Sequence, residues 1–160
     1  MSGCSIRAAS QAGAYLLRLE GDVRLTMCTA LDEYFQRIFK DPQFASVSVD
    51  VTRAQGLDST TLGMLAKLAI ETHQRFHFKP AIYSCDAGIE RLLHSMGFRQ
   101  LFDLRQGDCD ALTAEEEIPQ VAASEDAVKA RVLEAHRTLM ALSEDNNQAF
   151  KDLVRTLEAS

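Results

Sequence analysis

The sequence lacks the features that mark membrane, secreted and nucleic-acid-binding proteins. No stretch comes near the roughly 18 consecutive apolar residues of a transmembrane helix. The N-terminal MSGCSIRAAS has no basic segment followed by an apolar core, so it does not predict a signal peptide. Positive charge is also scarce, because 17 Lys and Arg face 23 Asp and Glu, for a net charge of −6. Nucleic acids and anionic membranes bind clustered cations, so we expect a cytoplasmic protein that binds neither.

The chain also lacks the signatures of metal sites, cofactor sites and enzymes. Its four cysteines are scattered, without a C-x-x-C pair, and we interpret them as small apolar residues. His73 and His77 are one helical turn apart but have neither the intervening glutamate of H-E-x-x-H nor an evident third ligand. His94 and His136 have no discernible companion. A glycine-rich phosphate loop is missing as well, so the sequence predicts a protein that is not an enzyme and needs no metal or cofactor.

The composition is that of an ordinary globular protein, with 160 residues of which 46% are hydrophobic and 25% charged. Within residues 1–104, alternating and helical apolar spacings predict the order β-β-α-β-α-β-α-β. Parallel strands in such an order are joined by right-handed helical crossovers. We therefore predict an α/β fold in which helices pack on a mixed β-sheet.

The chain changes character after Leu104. Residues 105–123 are polar, acidic and interrupted by Gly107 and Pro119, which is typical of a linker. Residues 124–160 return to apolar spacings of three and four, as one long helix or as two helices divided near Ser143. The sequence thus predicts a sheet domain (1–104), an acidic linker (105–123) and a C-terminal helical extension (124–160). The apolar stripe of the extension either packs on its own domain, which we favour, or meets another chain.

The segment GLDSTTLGML, residues 56–65, places three hydroxyl residues after an aspartate where a strand gives way to a helix. Asp, Ser and Thr oxygens accept hydrogen bonds from the free N–H groups of a first helical turn, so capping explains one of them. If Asp58 is the cap, the hydroxyl of Ser59 remains available at the start of the helix. At about 100° per residue, Met64 and Leu68 point away from the inward stripe, which predicts a docking surface beside Ser59. The inward stripe consists of Leu62, Leu65, Ala66, Ala69 and Ile70.

The order of elements, and above all VSVDVTRAQGLDSTTLGMLAKL (residues 47–68), resembles the STAS domain of bacterial anti-sigma factor antagonists. In that family an apolar strand and a short loop precede Asp-Ser-Ser/Thr-Gly-Leu-Gly, which opens a helix. This chain has Asp-Ser-Thr-Thr-Leu-Gly, so Thr61 stands where the family usually has glycine, a departure that bears on how closely a kinase loop can approach. The resemblance covers about residues 4–104. The C-terminal extension resembles that of the HsbA-type antagonists, which act in motility and biofilm signalling.

The resemblance implies a phosphorylation switch. In the family, a partner serine kinase phosphorylates the serine that follows the aspartate, here Ser59, and a metal-dependent phosphatase removes the phosphate. The unphosphorylated antagonist binds an anti-sigma factor, which for the HsbA-like subgroup is of the FlgM type. Gly21 and Asp22 resemble the acidic loop beside the phosphorylation site. The resemblance and the helix register together predict six partner-binding residues: Asp22, Asp58, Thr60, Thr61, Met64 and Leu68.

Two other functions stay open. A STAS subunit of a transport complex would have the same fold without any phosphate on Ser59. A small hydrolase that used Ser59, Asp58 and a histidine is less favoured, because GLDST lacks the G-x-S-x-G elbow that exposes a nucleophile.

Overall fold

The computed structural model describes residues 3–107 and 115–160. The described residues form six strands and five α-helices. The strands are β1 (Cys4–Gln11), β2 (Ala14–Val23), β3 (Ser46–Leu57), β4 (Ala81–Ser84), β5 (Asp103–Gln106) and β6 (Glu116–Glu117). The helices are α1 (Cys28–Phe39), α2 (Ser59–Phe76), α3 (Ala87–Ser95), α4 (Glu125–Met140) and α5 (Glu144–Ala159). Short 3-10 turns at Leu25–Met27 and Phe98–Gln100 lead into α1 and β5.

The strands form one mixed sheet in the order β5-β4-β3-β2-β1-β6. β1 and β2 pair as an antiparallel hairpin, and the two residues of its turn, Ala12 and Gly13, have φ angles of 51° and 84°. Two positive φ angles in a two-residue turn match the right-handed twist of the flanking strands. β2, β3, β4 and β5 run parallel to one another, joined by α1, α2 and α3. The mixed sheet and the element order predicted for residues 1–104 are therefore confirmed.

The predicted acidic linker differs from expectation at both of its ends. β5 continues to Gln106, two residues past the predicted boundary, and β6 adds two residues antiparallel to β1 at the far edge of the sheet. Directly after β6, Ile118 is buried in the hydrophobic core. The side chain of Ile118 provides the physical reason, because burying one apolar residue directly after three glutamates holds this segment on the edge of the sheet. Residues 108–114 of the linker, including Cys109, lie outside the described residues.

The C-terminal extension is a helical hairpin that packs on its own domain, as favoured from the sequence. α4 packs on α2 and α1, and α5 folds back along α4. Ala135 and Leu139 of α4 belong to the same core cluster as the sheet and the first two helices. Ser124 and Ser143 cap the two helices by accepting hydrogen bonds from Ala127 N and Asn146 N, so the predicted division near Ser143 is confirmed.

The prediction that Met64 and Leu68 face water is wrong. Both side chains are 0% exposed and belong to the core cluster, together with the inward-facing Leu65. α2 is enclosed because α1 and α4 both pack on it above the sheet, whereas the helical periodicity was interpreted for a helix buried on one side only. Most apolar residues of α2 therefore build the core, whereas Ile70, which was predicted to face inward, is only half-buried.

Three cysteines lie among the described residues, and their environments differ. Cys28 is buried at the start of α1, and burial raises the pKa of its thiol, so it stays protonated and behaves as the small apolar residue we expected. Cys4 is half-buried. The expectation is wrong for Cys85, which is exposed after β4 and whose Sγ donates to the carbonyl of Thr52 over 3.4 Å.

Replacing Met64 or Leu65 by alanine should lower the free energy of unfolding by about 2–5 kcal/mol each, because both changes leave a cavity in the core. The matched control is Leu153→Ala, at a side chain that is 42% exposed. This substitution should change the free energy of unfolding by no more than about 0.5 kcal/mol. Urea unfolding of the full chain measures all three. A wild-type midpoint for Met64→Ala would mean that this side chain faces water after all.

Candidate functional site

The candidate site lies at the edge of the sheet where β2 and β3 end. The two strands are parallel and pair Asp22 with Gly56 and Val23 with Leu57, so the loop after β2 lies beside the start of α2. A Cβ atom on Gly56 would lie 2.8 Å from Asp22 Oδ1, so the absence of a side chain there makes room for the aspartate. The structure thus brings Asp22, Asp58 and Ser59 to one corner of the molecule, as the sequence predicts.

Asp58 holds this corner together. Its Oδ1 accepts a hydrogen bond from Thr61 N over 2.8 Å, which makes it the predicted N-cap of α2. Its Oδ2 accepts from Leu25 N over 2.8 Å, which ties the loop after β2 to the same carboxylate. Both oxygens are therefore engaged by backbone N–H groups, and the hydroxyl of Ser59 has no part in capping.

Thr60 and Thr61 lie beneath the surface. Both side chains are buried, and Thr61 Oγ1 donates to the carbonyl oxygen of Val23 over 3.2 Å. Their side chains are therefore not part of the solvent-accessible surface, and a contact with a partner stays a prediction. Their hydroxyl groups suit the strand-to-helix junction, where Thr61 fastens the first turn of α2 to the end of β2. Because Met64 and Leu68 are buried as well, the solvent-accessible part of the predicted surface consists of the half-buried Asp22, Asp58 and Ser59.

The hydroxyl of Ser59 has a partner that sequence reasoning missed. Its Oγ lies 2.7 Å from Nε2 of His136, a residue of α4 that is 2% exposed. Nδ1 of the same ring lies 2.7 Å from the carbonyl oxygen of Val132, which can only accept. Nδ1 therefore carries the ring proton, Nε2 accepts, and Ser59 donates. The expectation that His136 has no companion is wrong, because its partner is 77 positions away in the chain.

An open groove runs from Ser59 along the C-terminal hairpin. Its volume is about 530 Å³, and Asp58, Ser59 and His136 lie on one side of it. Leu25 and Leu153, which also line it, are 41% and 42% exposed and are the most exposed large apolar side chains of the described residues. The rest of the apolar lining comes from the hairpin, with Val128 and Val132 on α4 and Leu157 on α5. The groove therefore offers apolar surface beside Ser59.

The charges around the site are mostly negative. Asp22 and Asp58 flank the start of α2, and Glu125 lines the groove. Arg24 is paired with Asp22, since its Nε and Nη2 each lie 2.8 Å from Asp22 Oδ2. Lys129 also lines the groove, and its Nζ donates to the carbonyl oxygen of Ser160 over 2.7 Å. The cations near Ser59 are thus engaged elsewhere.

The arrangement does not form the hydrolase triad considered from the sequence. Asp58 directs both carboxylate oxygens to backbone N–H groups, and the imidazole of His136 is oriented by a carbonyl. A carbonyl fixes the tautomer but does not offer the negative charge that stabilises an imidazolium in a Ser-His-Asp triad. Among residues 3–107 and 115–160, no group of three His, Cys, Asp or Glu side chains could hold a metal ion. No helix within these ranges is both long and apolar enough to span a bilayer.

Comparisons with known proteins agree with this fold. No family model matches the chain, and no curated protein matches it in sequence. Among solved structures, the chain is similar to the crystal structure of an anti-sigma factor antagonist from Mycobacterium paratuberculosis, with a TM-score of 0.54 and 15% sequence identity. The likeness covers 64% of this chain and 86% of that chain. The chain therefore has the STAS-like α/β fold of an anti-sigma factor antagonist, which confirms the fold predicted from the sequence.

Asp58→Ala should lower the free energy of unfolding by about 0.5–2 kcal/mol, because it removes the cap of α2 and the acceptor of Leu25 N. Asp58→Asn keeps an acceptor oxygen for the cap, so it should lower the free energy of unfolding by less than Asp58→Ala does. Asp22→Ala removes a neighbouring carboxylate whose partner, Arg24, is at the surface, and it should stay within about 0.5 kcal/mol of the wild type. Thermal and urea unfolding of the three variants measure the differences. An Asp58→Ala variant as stable as Asp22→Ala would contradict the capping role.

Proposed function

We propose that this protein is an anti-sigma factor antagonist that binds an anti-sigma factor while Ser59 is unphosphorylated and releases it when Ser59 carries phosphate. The observation that carries the proposal is the placement of Ser59. Its hydroxyl lies at the first position of α2, where Asp58 supplies the cap, and it lines an open groove next to Asp22. The STAS-like fold shared with a solved anti-sigma factor antagonist supports this role. The protein acts by binding and is not an enzyme.

The chemistry of phosphate suits a switch at this position. A phosphoserine adds about 1.5 to 2 negative charges and three acceptor oxygens. A helix N-terminus tolerates such charge well, so phosphorylation does not have to unfold the sheet domain. A partner that covers Ser59 would, however, bury a dianion beside Asp58 and Asp22. Bringing like charges together at an interface costs several kcal/mol, and even about 3 kcal/mol weakens binding by more than about a hundredfold.

The surface offered to the partner differs from the one predicted from helix periodicity. It consists of the half-buried corner formed by Asp22, Asp58 and Ser59, with the adjoining exposed side chains of Leu25 and Leu153 in the groove. A mixture of exposed leucines and a rim of carboxylates is the composition expected of a reversible protein interface. The partner we propose is a FlgM-type anti-sigma factor, which would place the protein in motility or biofilm control in the cytoplasm. A serine kinase and a metal-dependent phosphatase would set the state of Ser59.

The proposal predicts that Ser59→Asp weakens binding to a FlgM-type anti-sigma factor by at least a hundredfold relative to the wild type, whereas Ser59→Ala retains binding. The matched control is Ser10→Asp, an exposed serine at the other end of the β1–β2 hairpin, which should bind as the wild type does. Isothermal titration calorimetry with the purified anti-sigma factor measures the three affinities. Equal affinities of Ser59→Asp and Ser59→Ala would reject the switch.

The site of modification is tested separately. Phosphopeptide mapping of the protein isolated from its own cells should place the phosphate on Ser59, because Thr60 and Thr61 are buried. Intact mass before and after treatment with a protein phosphatase should differ by one phosphate. A chain that is never phosphorylated would favour the alternative of a STAS subunit in a transport complex.

A further inference from the structure

We propose that the C-terminal hairpin α4–α5 responds to the phosphorylation state of Ser59. The hairpin is docked on α2 while Ser59 is unphosphorylated and undocks when the hydroxyl carries phosphate. This inference rests on the proposed phosphorylation of Ser59 and assigns the responding element. The hairpin lies beyond the sheet domain in the sequence, and more than a third of the chain lies outside the likeness to the solved antagonist.

Three residues of α2, each one turn apart, form the line of contact with α4. Ser59 meets His136, Gly63 meets Ala135, and Lys67 meets Glu134. These contacts span two turns of α2 but fall within one turn of α4, so α4 crosses α2 at a steep angle. The proposed phosphorylation site is therefore the first contact of the interface between the sheet domain and the hairpin.

Phosphorylation removes the donor of that first contact. The kinase transfers the γ-phosphoryl group of ATP to Oγ of Ser59, so an O–P bond forms, the bond between the β- and γ-phosphates breaks, and the hydroxyl proton passes to the kinase. The ester oxygen that remains has no hydrogen to donate. While the ring is neutral, its single proton lies on Nδ1 in the bond to Val132, so Nε2 of His136 is then a buried acceptor facing acceptor oxygens. A buried polar atom that loses its partner favours any state in which water can reach it.

The contacts between Ser59 and α4 are too close to accommodate a phosphoryl group between them. A Cβ atom on Gly63 would lie 2.3 Å from the carbonyl oxygen of Ala135, so the two helices already touch through their backbones one turn from Ser59. The Oγ–Nε2 distance of 2.7 Å leaves no room for phosphorus between the two atoms. The negative charge would also stand beside Asp58 and Glu125, while the nearby Lys129 is bonded to Ser160.

The hairpin is attached in a way that allows release. Its far contact is polar: Lys67 Nζ lies 2.5 Å from Glu134 and 3.2 Å from Asp32, and Arg131 lies 3.1 Å from Asp32. Burial by itself lowers the pKa of Lys67, but its hydrogen bonds to Glu134 and Asp32 outweigh burial and raise the pKa, so the ammonium stays charged. The hairpin fully buries five of its side chains, which are Ala135, His136 and Leu139 on α4 and Asn146 and Val154 on α5. Segments with few buried apolar side chains open more readily than the core.

Undocking would change the docking surface, since α4 and α5 supply one wall of the groove beside Ser59. Val128 and Val132 of α4 and Leu153 and Leu157 of α5 would leave it together. The unphosphorylated state would then be the one that presents a complete groove to the partner. Phosphate would therefore weaken partner binding in two ways. Its charge would repel the partner beside Asp22 and Asp58, and release of the hairpin would remove the apolar side chains that line one side of the groove.

The test uses the full chain with phosphoserine incorporated genetically at position 59 and needs neither kinase nor anti-sigma factor. Amide hydrogen exchange followed by mass spectrometry should be at least tenfold faster over residues 125–159 than in the unmodified protein, which corresponds to about 1.4 kcal/mol. Exchange in β2 and β3 should stay unchanged. Phosphoserine at Ser10 is the matched control and should leave the hairpin protected. Unchanged or slower exchange in the hairpin of the Ser59-modified protein would overturn the proposal.

A second variant opens the hairpin without any charge. Gly63→Ala places a methyl group against the backbone of Ala135 while improving the helix propensity of α2. It should give the same pattern of faster exchange in α4 and α5 with a protected sheet. Exchange that rises in the sheet as well would show that the hairpin does not open by itself, which also overturns the proposal. These readouts are independent of the binding experiment on Ser59→Asp, so either idea can fail without the other.

Discussion

The bidentate role of Asp58 is the constraint on which the site depends. One carboxylate oxygen accepts from Thr61 N at the start of α2, and the other accepts from Leu25 N in the loop after β2. Two chain segments that are 33 positions apart are thereby fixed on a single side chain. Because the aspartate satisfies the first turn of the helix, the neighbouring Ser59 is left to interact outward, toward the groove and α4. Chemistry at this serine can therefore change without loss of the cap.

The second constraint on the site is that other elements enclose α2. The helix packs between α1 and α4 above the sheet, and Gly63 lets the backbone of α4 approach where any side chain would collide with Ala135. An interior helix of this kind cannot also offer an apolar face to a partner. What remains accessible is its N-terminal corner, with carboxylates, one hydroxyl and the exposed leucines of the groove. Because this corner has little apolar area and carries carboxylates, binding of a partner there depends strongly on charge. A phosphate can therefore control that binding.

The fold and the extension contribute in different ways to the proposed function. The sheet domain shares its architecture with a solved anti-sigma factor antagonist, and it supplies the strand-to-helix junction that carries Ser59. The hairpin supplies His136, which accepts the hydrogen bond of that serine, and most of the apolar lining of the groove. The hairpin, which distinguishes this chain from a minimal domain of the same fold, therefore contacts the sheet domain at the hydroxyl group of Ser59.

The sequence by itself determined the features that depend on neighbouring residues. Strand and helix order, the Asp58 cap, the break at Ser143 and the place of Ser59 at the start of α2 follow from local periodicity and capping chemistry, and the structure agrees with each of them. Only the tertiary structure decided that Met64 and Leu68 are buried, because periodicity cannot reveal that a helix is covered on several sides. It also decided that His136 meets Ser59, since 77 positions separate them and the packing of α4 on α2 brings them together.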